Sequence, residues 1–177
     1  MSDIIKDTLL EGQAKSSVNK LIKHIGDDKV IFKELMVFVF GKDERLSRYA
    51  SWVMTHCCET QPQLIKPYFE KLIDGLKKEK LHHANKRNYF RVFQEVEIPE
   101  KFQGELYDLG IKFALSANET IAVRVFALTT SYNIAKKHPE LLNELTPLIV
   151  ELNKYSDTPA MTSRTNTILK ELKKRKL

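Results

Sequence analysis

Cysteine, glycine and tryptophan are scarce in this 177-residue sequence, which contains two, six and one of them. The two cysteines, Cys57 and Cys58, are neighbours, and neighbouring side chains on a helix point about 100° apart, so a disulfide between them is not expected. The N-terminus lacks the basic and apolar regions of a secretion signal, and no apolar run reaches about 18 residues. These absences predict a cytoplasmic protein that does not associate with membranes.

Motifs for nucleotide, metal or nucleophilic chemistry are also missing. The glycines never form a G-x-G-x-x-G or P-loop spacing, so no phosphate-binding loop is expected. Histidine and cysteine cluster only at His56 to Cys58 and at His82-His83, and consecutive helical positions cannot converge on one metal ion. Asp27 and Asp28 are better explained as helix-capping residues than as general acids or bases. We therefore predict that the protein is not an enzyme, with no catalytic residue, no cofactor and no metal site.

The sequence has no Asn-Gly or Asp-Gly hairpin turn, and its apolar residues mostly recur every three or four positions, which predicts helices throughout. Between Ile121 and Leu152, one apolar stripe ends before His138-Pro139 and a second begins after it. Because proline lacks an amide hydrogen and fixes its own φ, it suits the first turn of a helix better than its middle. Pro139 therefore marks the joint of a helix pair.

The same joint recurs along the chain. Prolines that open helices are separated by 37 and 40 residues and are Pro62, Pro99 and Pro139. Arginines near the start of the other helix of each pair are separated by 39, 37 and 40 residues and are Arg48, Arg87, Arg124 and Arg164. Two markers that share a period of about 39 residues predict a stack of repeated helix pairs.

The unit from Pro99 to Lys137, in which Glu119 precedes Val123-Arg124, resembles the HEAT repeat of the armadillo-type α-solenoids. The resemblance is weakest between residues 80 and 96, where the expected turn signals are missing. It implies an all-α fold, a right-handed α-α superhelix of about four HEAT-like helix pairs with additional N-terminal helices. Because HEAT motifs are degenerate, the resemblance bears more on fold than on function.

We predict a single domain, with an N-terminal helical cap at 1–26, repeats at 27–175 and a basic tail at 176–177. The predicted helices are, in order, 3–12, 15–25, 28–40, 44–59, 62–79, 82–96, 99–116, 119–137, 139–154 and 159–175. Because one pair cannot bury its apolar stripe alone, neighbouring pairs are expected to stack.

The formal charge is +6, and basic residues concentrate in two segments. The predicted basic patch consists of Lys77, Lys78, Lys80, Lys86, Arg87, Arg91, Lys173, Lys174 and Arg175. Such clusters favour anionic partners, although a solvated helix face is the simpler explanation. The four periodic arginines have two interpretations: hydrogen bonds to turn residues or carbonyls that fix the stacking, which we favour, or contacts with nucleic-acid phosphates.

The function that these features favour is that of a non-catalytic interaction scaffold, which binds a protein partner on a concave face formed by the second helices. The residues expected on that face are Tyr49, Val53, His56, Asn88, Arg91, Glu95, Val125, Thr129 and Tyr132. Tyrosine and arginine are side-chain types that interface hot spots favour. Trp52, which aligns with Leu128, is expected near the core.

The alternative is a sequence-independent nucleic-acid-binding solenoid, in which the basic patch neutralises backbone phosphates. The HEAT-like glycosylases that repair alkylated DNA are similar to this chain in repeat type and basicity. Those enzymes use several concave tryptophans and a catalytic aspartate, whereas this chain has Trp52 alone, so no catalytic residue is carried over.

Overall fold

A computed structural model describes residues 2–12, 14–156 and 158–175. These residues form α-helices and one 3₁₀ helix with no strand among them, so the predicted all-α class is confirmed. None of the described helices is both long and apolar enough to cross a membrane. The chain divides into two compact units, residues 1–97 and 98–177. The predicted tail at 176–177 lies outside the described residues.

The helices agree closely with the predicted ones. Unit 1 contains α1 (Ser2–Leu10), α2 (Lys15–Ile25), α3 (Lys29–Val39), α4 (Glu44–Thr60), the 3₁₀ helix (Pro62–Tyr68), α5 (Phe69–Leu76) and α6 (His83–Glu95). Unit 2 contains α7 (Glu100–Leu115), α8 (Ile121–Ala135), α9 (Pro139–Tyr155) and α10 (Pro159–Arg175). Apart from the segment 62–79, every predicted boundary lies within two residues of the observed one.

The prediction of one continuous helix over 62–79 is wrong. The chain forms the 3₁₀ helix first, and α5 then ends at Leu76. Pro67 lies inside the 3₁₀ helix, and in an α-helix its ring would clash with the carbonyl four residues earlier while its nitrogen could donate no hydrogen bond. The tighter 3₁₀ turn avoids that clash in a short segment.

Aspartate side chains determine where α3 and α4 begin. Asp28 Oδ1 accepts hydrogen bonds from the amides of Val30 and Ile31 at 2.7 and 3.2 Å, which confirms its predicted capping role. Asp43 Oδ1 accepts from the amide of Leu46 at 2.9 Å. Each carboxylate satisfies an amide that has no partner within its helix and lies at the positive end of the helix dipole.

Helix α4 lies at the centre of unit 1, where it packs against α1, α2, α3, the 3₁₀ helix and α6. Its contact with α6 includes buried polar side chains. The Nδ2 amide of Asn85 donates to Ser47 Oγ at 2.7 Å, and Nδ2 of Asn88 donates to Ser51 Oγ at 2.8 Å. Since buried amides need partners, these two bonds fix the register of α6 against α4.

Helix α8 lies at the centre of unit 2, where it packs against α7, α9 and α10. It approaches α7 most closely at Gly110. A Cβ atom at Gly110 would overlap Ser131 Oγ and lie 3.0 Å from the carbonyl oxygen of Ala127. The Ser131 hydroxyl also donates to the Tyr107 carbonyl at 3.0 Å, so α7 and α8 are bonded at the point of closest approach.

Within each unit, the helices pack mainly against their chain neighbours and against the corresponding helix of the next pair, as α6 does with α4 and α10 with α8. This is the packing of an α-solenoid, in which each helix pair covers the apolar stripe of its neighbour.

Candidate interaction surface on helices α4 and α6

Helices α4 and α6 lie side by side, and each keeps one strip of side chains outside the core. Ser47 and Ser51 follow one another along α4 in the same order as their partners, Asn85 and Asn88, follow one another along α6. The two helices therefore run in the same direction. We define the α4–α6 surface by the residues of these strips that are exposed or partly exposed. They are Arg45, Arg48, Tyr49, Trp52, His56 and Glu59 from α4 with Arg87, Arg91 and Glu95 from α6.

Contacts between aromatic and cationic side chains order the α4 part of this surface. The guanidinium carbons of Arg45 and Arg48 lie 5.7 and 6.0 Å from the centroid of the Tyr49 ring. These distances fall within the range of cation–π attraction. One turn further on, the rings of Trp52 and His56 meet edge to face with their centroids 5.6 Å apart.

Glu59 joins the end of α4 to α6. Its Oε2 lies 3.0 Å from Nδ1 of His56, and its Oε1 accepts a hydrogen bond from Nη2 of Arg91 at 2.6 Å. Partial burial raises the pKa of the Glu59 carboxyl, but the hydrogen bonds and charges of His56 and Arg91 lower it by more. The net pKa lies below its usual value, so the carboxylate is ionised at neutral pH and orients both partners.

The α4–α6 surface therefore has two properties of a binding site. Tryptophan, tyrosine and arginine are enriched among interface hot spots, and all three occur here. Their mutual contacts hold them in place before a partner arrives, which reduces the entropy lost on binding. Four arginines and two glutamates give these nine residues a formal charge of +2 with His56 neutral, and the exposed Glu44, which lies 3.9 Å from Arg48, reduces it to +1.

Four of the residues predicted for the concave face are buried in the structure, so the prediction of an accessible side chain is wrong for them. They are Val53, Asn88, Thr129 and Tyr132. The physical reason is that, within each unit, the second helices of the two pairs pack against each other, α4 against α6 and α8 against α10. Asn88 of α6 donates to Ser51 of α4, and the Tyr132 hydroxyl of α8 donates to Glu171 Oε2 of α10 at 3.0 Å.

The other predicted residues are exposed or partly exposed, and their role in partner binding stays a prediction. Tyr49, His56, Arg91 and Glu95 belong to the α4–α6 surface, whereas Val125 is on α8 in unit 2.

Sequence analysis missed several residues of the surface, Trp52 above all. Alignment with Leu128 predicted that Trp52 lies near the core, but Leu128 is fully buried and Trp52 is partly exposed. The apolar spacing of Ala50, Val53 and Cys57 already indicates that the buried stripe of α4 passes through Val53. Trp52 is therefore off that stripe.

The predicted basic patch is distributed over both units. Lys77, Lys78 and Lys80 are exposed after α5, and Lys77 Nζ donates to Asp74 Oδ1 at 2.9 Å. Lys86 is buried, with 7% of its surface exposed, because α6 packs that position inward. The lysines and arginine at 173–175 belong to unit 2, where Arg175 Nη1 donates to the carbonyl of Lys136 at 3.2 Å.

Of the four periodic arginines, Arg48, Arg87 and Arg124 bond locally. Arg48 Nη1 lies 3.9 Å from Glu44 on its own helix. Arg124 Nε donates to the carbonyl of Ala114 at 3.0 Å, at the end of the preceding helix of its own pair. Arg124 thus bonds to a carbonyl, as the structural interpretation predicts. The bond lies within one helix pair, however, and does not join two successive pairs.

The two cysteines are free thiols in the core of unit 1. Burial raises the pKa of Cys57 to about 12 and raises that of Cys58 further, so neither is a reactive thiolate at neutral pH. Among the residues that the structure describes, no group of three or more His, Cys, Asp or Glu side chains is arranged to hold a metal ion.

A family profile described as HEAT repeat domain matches residues 5–172. Comparisons with curated proteins and with solved structures found no match. The matched region includes the helix pairs of both units and the close contact of α7 with α8. Because the match covers nearly the whole length, the chain belongs to the HEAT repeat domain family.

Proposed function

We propose that this protein is a non-catalytic interaction scaffold that binds a segment of a partner protein on the α4–α6 surface. The observation that carries the proposal is the ordered arrangement of Tyr49, Trp52, His56, Glu59 and Arg91 across two adjacent helices. Repeat proteins of helix pairs typically bind partners on surfaces formed by successive repeats.

The composition of the surface indicates what the partner segment contains. Arg45, Arg48 and Arg87 favour acidic side chains, since guanidinium groups pair with carboxylates in two-bond geometry. Tyr49 and Trp52 offer partly exposed aromatic rings for an apolar side chain between them. The proposed partner segment is therefore acidic with interspersed apolar residues.

The cavity that adjoins the α4–α6 surface is too small to serve this surface as a substrate pocket. Tyr49 and Trp52 help to line a cavity of about 10 Å³. That volume is about what one water molecule needs, whereas substrate pockets measure roughly 300–1,000 Å³. We also propose a cytoplasmic location, which the two unpaired thiols support.

A pull-down with paired variants tests the proposal. The baits are the wild-type chain, the variant Tyr49→Ala/Arg91→Ala, and a control with Lys33→Ala/Val37→Ala on the exposed side of α3. Each bait is incubated with native lysate with and without nuclease, and captured proteins are identified by mass spectrometry. We expect a protein that the wild-type and control baits capture with nuclease present and that the Tyr49/Arg91 variant loses.

Two results contradict the proposal. One is a partner that all three baits capture equally, which places binding elsewhere. The other is capture that disappears with nuclease, together with binding of duplex DNA that weakens steeply with salt, which favours the nucleic-acid alternative.

A further inference from the structure

Unit 2 contains a groove with a volume of about 540 Å³. It lies where the last residue of α7 and the first turn of α8 face the second half of α9 and the start of α10. Its apolar lining consists of Leu115, Leu148, Leu152, Tyr155 and Met161. Arg124 and Glu151 add one cation and one anion to the lining.

Away from the groove, α7 is hydrogen-bonded to the start of α9 and to the residue before it. The Tyr107 hydroxyl donates to the carbonyl of Leu141 at 3.4 Å, and Gln103 Oε1 lies 2.6 Å from Nε2 of His138. Both bonds involve the start of α9, whereas the groove residues of α9 begin after Pro147. A proline inside a helix donates no amide hydrogen bond, and Pro147 directly precedes the groove residues of α9.

The groove exposes apolar side chains next to a fixed cation. Leu115 is 47% exposed and Tyr155 is 70% exposed, which is unusual for side chains of this size when they lie together. The Nε–H of Arg124 donates to the Ala114 carbonyl at 3.0 Å, and this bond anchors the guanidinium at the groove. Its two terminal amino groups are the atoms that bind a carboxylate with two bonds.

We propose that this groove binds the carboxy-terminal tail of a partner protein, ending in a large apolar residue and carrying a basic residue further upstream. Arg124 pairs with the terminal carboxylate, and Glu151 pairs with the basic side chain. The last side chain packs against Leu115, Leu148 and Leu152. The volume lies within the range of roughly 300–1,000 Å³ that ligand pockets have, which suits a short segment rather than a folded surface.

This proposal does not depend on the α4–α6 surface, which belongs to unit 1. The groove favours a peptide tail because it combines opposite charges with an apolar lining. A purely apolar ligand would cover the terminal amino groups of Arg124 and the carboxylate of Glu151 without bonding to them, and a purely anionic ligand would be repelled by Glu151.

Fluorescence polarisation with four labelled hexapeptides tests the proposal on the full chain. The peptides are Gly-Ser-Lys-Gly-Leu-Phe with a free carboxylate, the same peptide as its C-terminal amide, and both forms with the final Phe replaced by Ser. We expect the free-acid Phe peptide to bind about tenfold more tightly than its amide, because a charge-assisted bond to Arg124 is lost. Replacing the final Phe by Ser in the free-acid peptide should weaken its binding by a similar factor.

Variants locate the binding. Arg124→Gln should abolish the preference for the free acid, but it also removes the bond to Ala114. Glu151→Lys and Tyr155→Ser therefore provide independent tests at exposed positions. Each should weaken the free-acid Phe peptide several-fold while circular dichroism shows an unchanged fold.

Three results overturn the proposal. The first is the absence of binding by any peptide at 1 mM, and the second is equal binding of acid and amide. The third is phenylpropionate binding as tightly as the hexapeptide, which would assign the groove to a small carboxylate.

Discussion

Arg91 on α6 donates from Nη2 to Oε1 of Glu59 on α4 at 2.6 Å, across 32 positions of the sequence. Both side chains are 34% exposed, so the ion pair contributes little to stability. Its consequence is geometric, because the same carboxylate also contacts His56 at 3.0 Å. Three side chains of the α4–α6 surface are thereby held in one arrangement.

We predict that Arg91→Gln raises the pKa of Glu59 towards its ordinary value of 4.5. The native pKa lies below that value, so Glu59 adds stability above pH 4.5 that is lost as the pH falls through the lowered pKa. An NMR titration of the side-chain carboxyl measures the change. Lys77→Gln, which removes the partner of Asp74, is the matched control and should leave Glu59 unchanged. A Glu59 pKa that is the same in Arg91→Gln as in the wild type would show that the ion pair does not form in solution.

The buried bond between Asn88 and Ser51 should stabilise unit 1. Asn88→Ala is expected to lower the free energy of unfolding by about 1–3 kcal/mol, because the buried Ser51 hydroxyl loses the amide group that donates to it. Urea denaturation of this variant, of Ser51→Ala and of the double variant gives the coupling energy, for which we expect about 1 kcal/mol. Asn143→Ala, at an exposed position of α9, is the control and should change stability by less than about 0.5 kcal/mol. Purely additive effects would contradict the bond.

Two glycines of α7 should respond in opposite directions to the same substitution. Gly110→Ala places a methyl group on the Ser131 hydroxyl and close to the Ala127 carbonyl, so we expect the free energy of unfolding to fall by about 1–3 kcal/mol. The methyl group of Gly104→Ala meets no atom within 4 Å, so the free energy of unfolding should rise by about 0.5–1 kcal/mol through helix propensity. Thermal unfolding of both variants checks the pair. A stabilised Gly110→Ala would mean that α7 and α8 lie further apart than described.

The buried thiols should make the protein sensitive to alkali. The unfolded thiols titrate near 9.0, whereas burial raises the pKa of Cys57 to about 12. As the pH rises through 9 the unfolded state therefore loses protons that the folded state keeps, and stability falls by about 1 kcal/mol between pH 9 and pH 10 for each thiol. Urea denaturation at pH 8, 9 and 10 measures this slope, which should be smaller in Cys57→Ala/Cys58→Ala. Rapid reaction of the native protein with a thiol reagent at pH 8 would contradict the burial of both cysteines.

The helices were predictable because the sequence marks their ends. Pro139 opens α9 at the predicted residue, and Asp28 caps α3 by accepting hydrogen bonds from two backbone amides. The 3₁₀ helix was not predictable from the apolar spacing, which is the same on either side of Pro67. Its conformation depends on a clash between the proline ring and the backbone, which the spacing does not contain.

The surface residues were harder to predict, as neighbouring positions on α4 show. Val53 was expected to be accessible and is buried, while Trp52 was expected near the core and is partly exposed. One position changes the direction of a helical side chain by about 100°, so a small error in register exchanges core and surface. The identity of the helix that covers each buried residue, α4 for Asn88 and α10 for Tyr132, depends on contacts between repeats that no local pattern encodes.

Photocrosslinking from the α4–α6 surface tests the proposed function most directly. Tyr49 is replaced by p-benzoylphenylalanine, and in a second protein the same group replaces Val37, which is 66% exposed on α3. After irradiation in native lysate, we predict a covalent adduct with one protein from position 49 and no such adduct from position 37. Equal adducts from both positions, or an adduct from position 49 that nuclease removes, would contradict a protein-binding surface on α4 and α6.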